Sequence, residues 1–571
     1  MSRRRSVGLG ILALLTVVLT ACAGLPTTGP VNAGLPPAEG PGRLDVDFLP
    51  ERPALGASPQ QIVEGFVDAA TSPAGNFEIA RSYLAPALRD AWDPGVGVTI
   101  DQPRGRSVSE PENDAAAETD TVTVTFTPTA DVDEAGSYRV AEAPSPASRK
   151  YVVAKQSDGE YRVVSAPDGI VLDSETFKVV FNQFTLMYFD PTWRFLVPDV
   201  RWFPARTNTA TNIASKLIDG APSAWLEGAV VSAFPQDVAL KSKTVPVTSG
   251  VAHVELDNSA VTLDDLTLSR MQAQLQASLA TAGVPRVDML VGINVLAVMA
   301  APTAPTKVDG RAFVQTATGV GFVSGNELEV IPGLSAQLAR LQSQRIELAP
   351  SQEFAAVLGV DGQVSLVPRE GDALVLDSRR GLIAPTVDPW GAIWSVPRDV
   401  PSAVIAYRST GEATAIASAW PDASEIAGMQ LSRDGTRVAA AVTIGGQSWM
   451  EIAAVRRDAD GKPVALGEPL KVARLSGPGT GIAWVDDTSI AAAFIANEVP
   501  WIATTLVGGP GSVRDAPMGT VSLAGGNNLA GLRLQTSTGE LFVQRASTWQ
   551  QSAEDVLVLA TQQGMPLQEI P

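Results

Sequence analysis

The two side chains with the widest chemical repertoire occur once each in 571 residues: one cysteine, Cys22, and one histidine, His253. A two-histidine zinc site or a Cys/His metal cluster cannot be assembled from that inventory, and a histidine-containing hydrolytic triad has a single residue to draw on. His253 lies in Val251-Ala252-His253-Val254-Glu255-Leu256, where alternation sets it on the strand face opposite Val254 and Leu256, a surface position. There is no Gly-x-Ser-x-Gly elbow and no Walker lysine, and Gly319-Val320-Gly321 lacks the third glycine of a dinucleotide fingerprint. Asp388, Asp434, Asp486 and Asp487 could supply the paired carboxylates of a glycosidase. Each, however, stands in a turn between strands, where aspartate accepts backbone N–H bonds. The expectation is no catalytic residue, no cofactor and no metal.

Cys22 has a more telling setting. Arg3, Arg4 and Arg5 precede an uncharged run over residues 7–19, too short to span a bilayer, and Thr20-Ala21 separates that run from the thiol. This is a secretory signal layout, and Leu19-Thr20-Ala21-Cys22 resembles the bacterial lipobox. The resemblance implies cleavage between Ala21 and Cys22, with Cys22 becoming an S-diacylglyceryl, N-acylated N-terminus. Two or more acyl chains suffice for stable anchoring, at about 0.8 kcal/mol per buried CH2. The expected location is the outer face of the cytoplasmic membrane, tethered by lipid.

Loss of residues 1–21 removes three of 42 basic residues and no acid, leaving 39 against 61 Asp+Glu, a net charge of −22. Such a surface repels nucleic acid and anionic headgroups. With Cys22 committed to lipid no disulfide can form, so every core must stand on packing.

The elements that position these residues are legible in order. Residues 23–42 hold five prolines and five glycines with Glu39 as the only charge, a flexible spacer. Ser58-Pro59-Gln60-Gln61 reads as an N-cap, a first-turn proline and a capping-box glutamine. Residues 62–70 and 77–84 follow at helical spacing, and strands at 121–126, 151–154 and 161–165 come after, giving an α+β cone for which the NTF2-like fold is one template. Residues 174–205 are aromatic-rich around Asp190-Pro191, a hairpin whose rings serve core packing between domains rather than glycan stacking. Residues 207–300 then read helix, strands at 230–234 and 238–240, a hairpin about Thr248-Ser249-Gly250, a helix through Leu268, Met271, Leu275 and Leu279, and a final strand over 287–295.

From about residue 310 short strands alternate with Gly/Asp/Pro turns, and related phrases return around Asp361, Asp388, Asp434, Asp486 and Gly539. Spacing near forty with a strand-turn-strand core is the signature of propeller blades, about five to seven of them. The C-terminal strand or the segment near Gly321 would complete the ring. Trp390, Trp394, Trp420, Trp449, Trp484, Trp501 and Trp549 are expected between blades rather than stacked on sugars.

Lys216-Leu217-Ile218-Asp219-Gly220-Ala221-Pro222, Ala233-Phe234-Pro235 and Ala252-His253-Val254-Glu255-Leu256-Asp257 resemble the GerMN domain of sporulation and germination proteins. With the lipobox, the α+β module, the stretch Phe195-Leu196-Val197-Pro198-Asp199-Val200-Arg201-Trp202-Phe203-Pro204 and the degenerate propeller, the chain resembles the LpqB lipoproteins of actinobacteria. The expected fold class is multidomain: residues 1–21 signal peptide, 22–57 lipidated cysteine and Gly/Pro linker, 58–173 N-terminal α+β domain, 174–305 GerMN-like domain and 306–571 all-β propeller. The resemblance implies a non-enzymatic accessory whose partner is the extracytoplasmic domain of an MtrB-like sensor histidine kinase, tuning cell-wall homeostasis and division. A cell-wall carbohydrate-binding or glycan-cleaving lipoprotein is the alternative, with peptidoglycan as the partner. No nucleic-acid partner is expected.

Overall fold

The computed structural model describes residues 50–112, 119–205, 208–325 and 327–566. Ala21, Cys22, the signal layout and the spacer lie outside the described residues. The first helix, Pro59–Ala69, starts where the capping box predicts: Gln61 N donates to Ser58 Oγ at 3.2 Å and Ser58 N to Gln61 Oε1 at 2.9 Å. Its apolar face, Ile62, Val63, Phe66 and Val67, packs on Val122, Val124 and Phe126 of the strand Thr119–Phe126, whose alternation puts those three in the core. The second helix, Ala74–Ser82, is kinked at its start, with Gly75, Asn76 and Phe77 all at positive φ. Two four-stranded sheets complete this α+β module. One runs Ser107–Val108, Thr119–Phe126, Ala147–Lys155, Tyr161–Ser165. The other runs Tyr138–Val140, Pro128–Asp133, Gly97–Asp101, Ile170–Asp173, its last pair parallel.

The aromatic stretch is a two-stranded ribbon, Phe181–Phe189 against Leu196–Pro204, paired without a register break from Phe189↔Leu196 to Phe181↔Pro204. It is shared between two cores. Phe181, Val200 and Trp202 join the N-terminal core with Phe177 and Val180 of the helix Ser174–Val180, whereas Phe184, Leu186, Tyr188, Phe189, Val197 and Phe203 join the next one. Asp190 closes its turn, accepting from Thr192 N at 2.8 Å, Arg194 N at 2.7 Å and Phe195 N at 2.6 Å.

The next module is built on a parallel pair, Val251–Leu256 with Arg286–Val291, bridged by the helix Asp265–Ala280. The hairpin about Thr248-Ser249-Gly250 forms with both central residues left-handed, Ser249 at φ 53° and Gly250 at φ 75°, as a tight two-residue turn demands. The strands expected at 230–234 and 238–240 do not form; only isolated bridges, Phe189↔Val231 and Leu240↔Leu256, occur there. Pro235 removes a ladder donor between them, and the buried Gln274 side chain accepts from Ala233 N at 2.6 Å, replacing a ladder bond with a helix side chain. The strand expected over 287–295 ends at Val291, turns at Gly292 and returns as Asn294–Val295.

The remainder is a propeller of six blades among the described residues. Its innermost strands are Ser343–Leu348, Thr386–Val387, Glu425–Leu431, Gly479–Trp484, Thr520–Ala524 and Val556–Gln562. The last of these closes the ring: Val556–Gln562 pairs antiparallel with Phe313–Thr316, whose sheet continues through Gly319–Ser324 to Glu327–Glu329. Both segments expected to complete the ring therefore share one blade. The irregular spacing of the repeated phrases also has a cause. Asp388, Asp434 and Asp486 follow innermost strands, whereas Asp361 and Gly539 occupy turns one strand further out. Trp394, Trp420, Trp449 and Trp484 are buried in the cores within and between blades, as packing requires.

Candidate functional site

Three of the four candidate carboxylates, Asp388, Asp434 and Asp486, are used by their own turns. Asp388 accepts from Trp390 N at 3.0 Å and Ala392 N at 2.9 Å, and from Arg457 Nη1 and Nη2, both at 3.2 Å. Asp434 is fully buried; burial opposes its charge, but Arg437, Thr436 and Ser432 outweigh burial and hold its carboxyl below the usual range. Asp486 caps the next turn, accepting from Thr488 N and Ser489 N, each at 2.8 Å. Asp487 accepts from Thr306 Oγ1 at 2.6 Å. The fields of Asp434, Asp486 and Asp487 meet on Arg433, which donates to Gly526 O and, at 3.5 Å, to Thr306 O and Trp484 O. The segment around Thr306 and Val308 crosses the same end of the ring, where Val308 N donates to Asn527 Oδ1 at 2.9 Å. This mouth of the central channel is occupied by an arginine and a strap, with the carboxylates serving them.

Within the channel Glu347 joins three innermost strands. It accepts from Val387 N at 2.7 Å, Thr386 Oγ1 at 2.8 Å and Thr561 Oγ1 at 2.7 Å, and burial pushes its carboxyl above the usual range. Around Arg345, Glu347 and Gln430 the remaining free volume is about 60 Å³, room for about two waters.

Sequence reasoning missed the residues that hold the modules together. Asp199 and Arg201, 1% and 2% exposed, form an ion pair at 2.7 Å on the shared ribbon. Arg201 also donates to Ala135 O at 2.9 Å and Ala221 O at 3.1 Å, and Asp199 accepts from Ser223 N at 2.8 Å and Ser223 Oγ at 2.7 Å. The pair thus links a loop of the N-terminal module, the ribbon and the segment after the first helix of the following module. It lines a cavity of about 220 Å³ whose other wall includes Leu470, Val507 and Gly508 of the propeller. Burial and then the Asp199 carboxylate push the nearby Tyr188 hydroxyl well above its usual range. The signal was available as two opposite charges two residues apart inside the otherwise apolar run 196–203.

The propeller is fastened to the same region at separate points. Trp202 Nε1 donates to Gly508 O at 2.8 Å, Lys471 Nζ to Glu142 Oε1 at 3.0 Å, and Phe195 meets Trp390 edge-on at 6.0 Å while Arg457 stacks on that indole at 4.0 Å. Gly435, at φ 68°, permits this last arrangement, because a Cβ there would lie 2.3 Å from the Trp390 ring. Beside Lys471, burial pushes the Glu451 carboxyl up to about 7, opposed by Lys471 and reinforced by Asp422 and Glu142. A carboxyl raised from 4.5 favours the fold while protonated, so its contribution is whole below that value and is lost as pH rises through about 7. Urea unfolding should show the native chain losing up to about 3 kcal/mol relative to Glu451→Gln between about pH 5 and pH 8; parallel pH profiles would refute this assignment.

His253 is half-exposed on the outer face of its strand, with Nδ1 3.6 Å from Asp288 Oδ2. Among the described residues no group of three or more His, Cys, Asp or Glu is placed to hold a metal, and no helix is long and apolar enough to cross a membrane. The arrangement defines a class: a mostly β, multidomain protein in which a buried ion pair joins an α+β module to a Germane-type module, and aromatic and hydrogen-bond contacts fasten both to a six-bladed propeller. Family descriptions match in the same order: "Lipoprotein LpqB, N-terminal domain" over residues 52–178, "Sporulation and spore germination" over 185–292 and "Lipoprotein LpqB beta-propeller domain" over 313–558. Lipoprotein LpqB of Bifidobacterium longum is 26% identical over 480 residues, covering 78% of this chain and 77% of that protein. Its counterpart in Mycobacterium tuberculosis is 27% identical over 491 residues, covering 78% and 79%. The chain spans 59% of the length of the Cutibacterium acnes relative, at 25% identity over 60% of this chain, and 46% of the Nocardia farcinica relative, at 27% identity over 49% of this chain. The chain belongs to the LpqB lipoprotein family.

Proposed function

We propose that this lipoprotein is anchored through Cys22 to the outer face of the cytoplasmic membrane and acts as an accessory of an MtrB-like two-component sensor kinase, modulating cell-wall homeostasis and division. The observation that carries the reading is the LpqB-type module order over nearly the whole described chain, in a body whose modules are fastened into one compact unit. Further support comes from the chemistry. Asp388, Asp434 and Asp486 cap turns or anchor arginines, and the blade tryptophans Trp394, Trp420, Trp449 and Trp484 are buried, which supports a binding role. A coil of twenty residues corresponds to a reach of about 25 Å. A partner within that reach is itself membrane-bound or lies in the nearest wall layer, and the extracytoplasmic domain of a kinase meets that condition.

The test is binding of the kinase's extracytoplasmic domain to immobilised mature protein. Retention is expected, and a flat response at micromolar concentrations contradicts the reading. In cells, Cys22→Ala should leave the body folded while moving it out of the membrane fraction.

A further inference from the structure

The propeller's closure leaves a groove of about 970 Å³ between the blade built on Val556–Gln562 and the blade before it. Its two walls carry the same turn. Gln315-Thr316-Ala317-Thr318-Gly319 and Gln535-Thr536-Ser537-Thr538-Gly539 follow equivalent strands, and in each the two threonine hydroxyls are 2.9 Å apart. Gln535 is spent on the seam itself, donating to Val556 O at 2.8 Å and Leu557 O at 2.9 Å and accepting from Leu559 N at 2.9 Å. The threonine turns face the groove.

The floor is apolar: Val521 at 40% exposure and Leu557 at 61% stand open beside the half-buried Val323, over the buried Val314 and Val556. The rim is acidic: Glu327, Glu554 and Asp555, with no lysine or arginine among the lining residues. Arg345, which lines the neighbouring channel cavity, donates to Val521 O at 2.9 Å.

We infer that this groove docks an extended segment of a partner protein in which basic and apolar side chains alternate. Three carboxylates without a compensating base select a cationic occupant, and the acidic body as a whole steers one in. An extended chain turns successive side chains to opposite faces, so apolar ones can cover the exposed Val521 and Leu557 while basic ones reach the rim. In the second turn Thr538 Oγ1 also donates to Glu540 Oε2 at 2.9 Å, so what the hydroxyls offer such a chain is acceptor capacity for its backbone N–H groups. A glycan would find no aromatic platform, since no aromatic ring lines the groove. This inference concerns the chemistry of the docked segment, whichever protein carries it, and stands apart from the kinase reading.

The experiment is fluorescence polarisation of the mature protein with a labelled octapeptide alternating lysine and valine, beside a glutamate–valine counterpart and an N-acetylglucosamine tetrasaccharide as competitor. Saturable binding of the cationic peptide is expected, weakened at least about tenfold by Glu327→Lys with Glu554→Lys and reduced by added salt. Thermal melting of the double variant, whose changes lie on the exposed rim, should match the native chain. Absence of peptide binding, unaltered binding by a folded double variant, equal binding of the glutamate peptide, or displacement by the tetrasaccharide would each overturn the inference. Retention of the kinase domain by a chain that ignores the peptide would leave the proposed function standing, so the two failures are separable.

Discussion

A chain ending at Glu554 should lose the cooperative fold of its propeller, because the strand removed is the one on which the ring closes. Val556–Gln562 buries Val556, Val558, Leu559 and Ala560, pairs with Phe313–Thr316 on one side and meets Leu348 on the other. Each large apolar side chain lost from such a site costs about 1.5–3 kcal/mol. Gln535 and Glu347 would lose partners on the same strand, leaving buried polar groups unpaired at about 1–3 kcal/mol each. The total is comparable with the whole stability of a domain, about 5–15 kcal/mol. Blades bury their sheets only against neighbours, so an opened ring exposes the closing seam and propagates. Near-ultraviolet circular dichroism should lose its tryptophan signal and limited proteolysis should start within residues 313–329. A truncated chain that melts like the native one would show that the strand is not the closure.

Arg201→Met should be the most damaging single substitution at the junction. It strands the Asp199 carboxylate at 1% exposure with only Ser223 to answer it. Breaking one side of a buried pair costs about 3–5 kcal/mol, whereas replacing both partners by apolar residues of similar volume is often close to neutral. Asp199→Leu combined with Arg201→Met should therefore recover much of the loss, leaving the cost of the freed Ser223 and of the two carbonyls that Arg201 served. Chemical denaturation of the two single variants and the double variant measures this directly. Additive losses in the double variant would mean that the pair acts through something other than its mutual charge.

What the residues disclose before folding follows from the range of the forces involved. Ser58 and Gln61 satisfy donors three residues away, and Ser249-Gly250 supply the two left-handed residues of a tight turn, so both motifs were legible. The propeller was legible through its turn aspartates, which answer backbone groups two to four residues on. The region 230–240 was not, because what decides it is distant: Gln274, on a helix forty residues later, takes the Ala233 N–H that a strand neighbour would have used. The junction was legible only in part: the opposite charges of Asp199 and Arg201 stand out in an apolar run, but their partners do not. Arg201 reaches Ala135 and Ala221, and no local pattern announces partners so far apart in the chain. The tryptophans illustrate a third case, since the blade repeat itself predicts rings between blades and Trp394 and Trp484 are buried there.

We propose that this body works by touching a kinase close to the membrane. Photo-cross-linking in intact cells tests it most directly, with a cross-linking amino acid placed at exposed positions around the propeller and the adducts identified by mass spectrometry. An adduct containing the extracytoplasmic domain of the sensor kinase is expected, lost when Cys22→Ala frees the body from the surface. Adducts confined to wall glycan or to unrelated soluble proteins, or a kinase adduct as strong without the anchor, would contradict it.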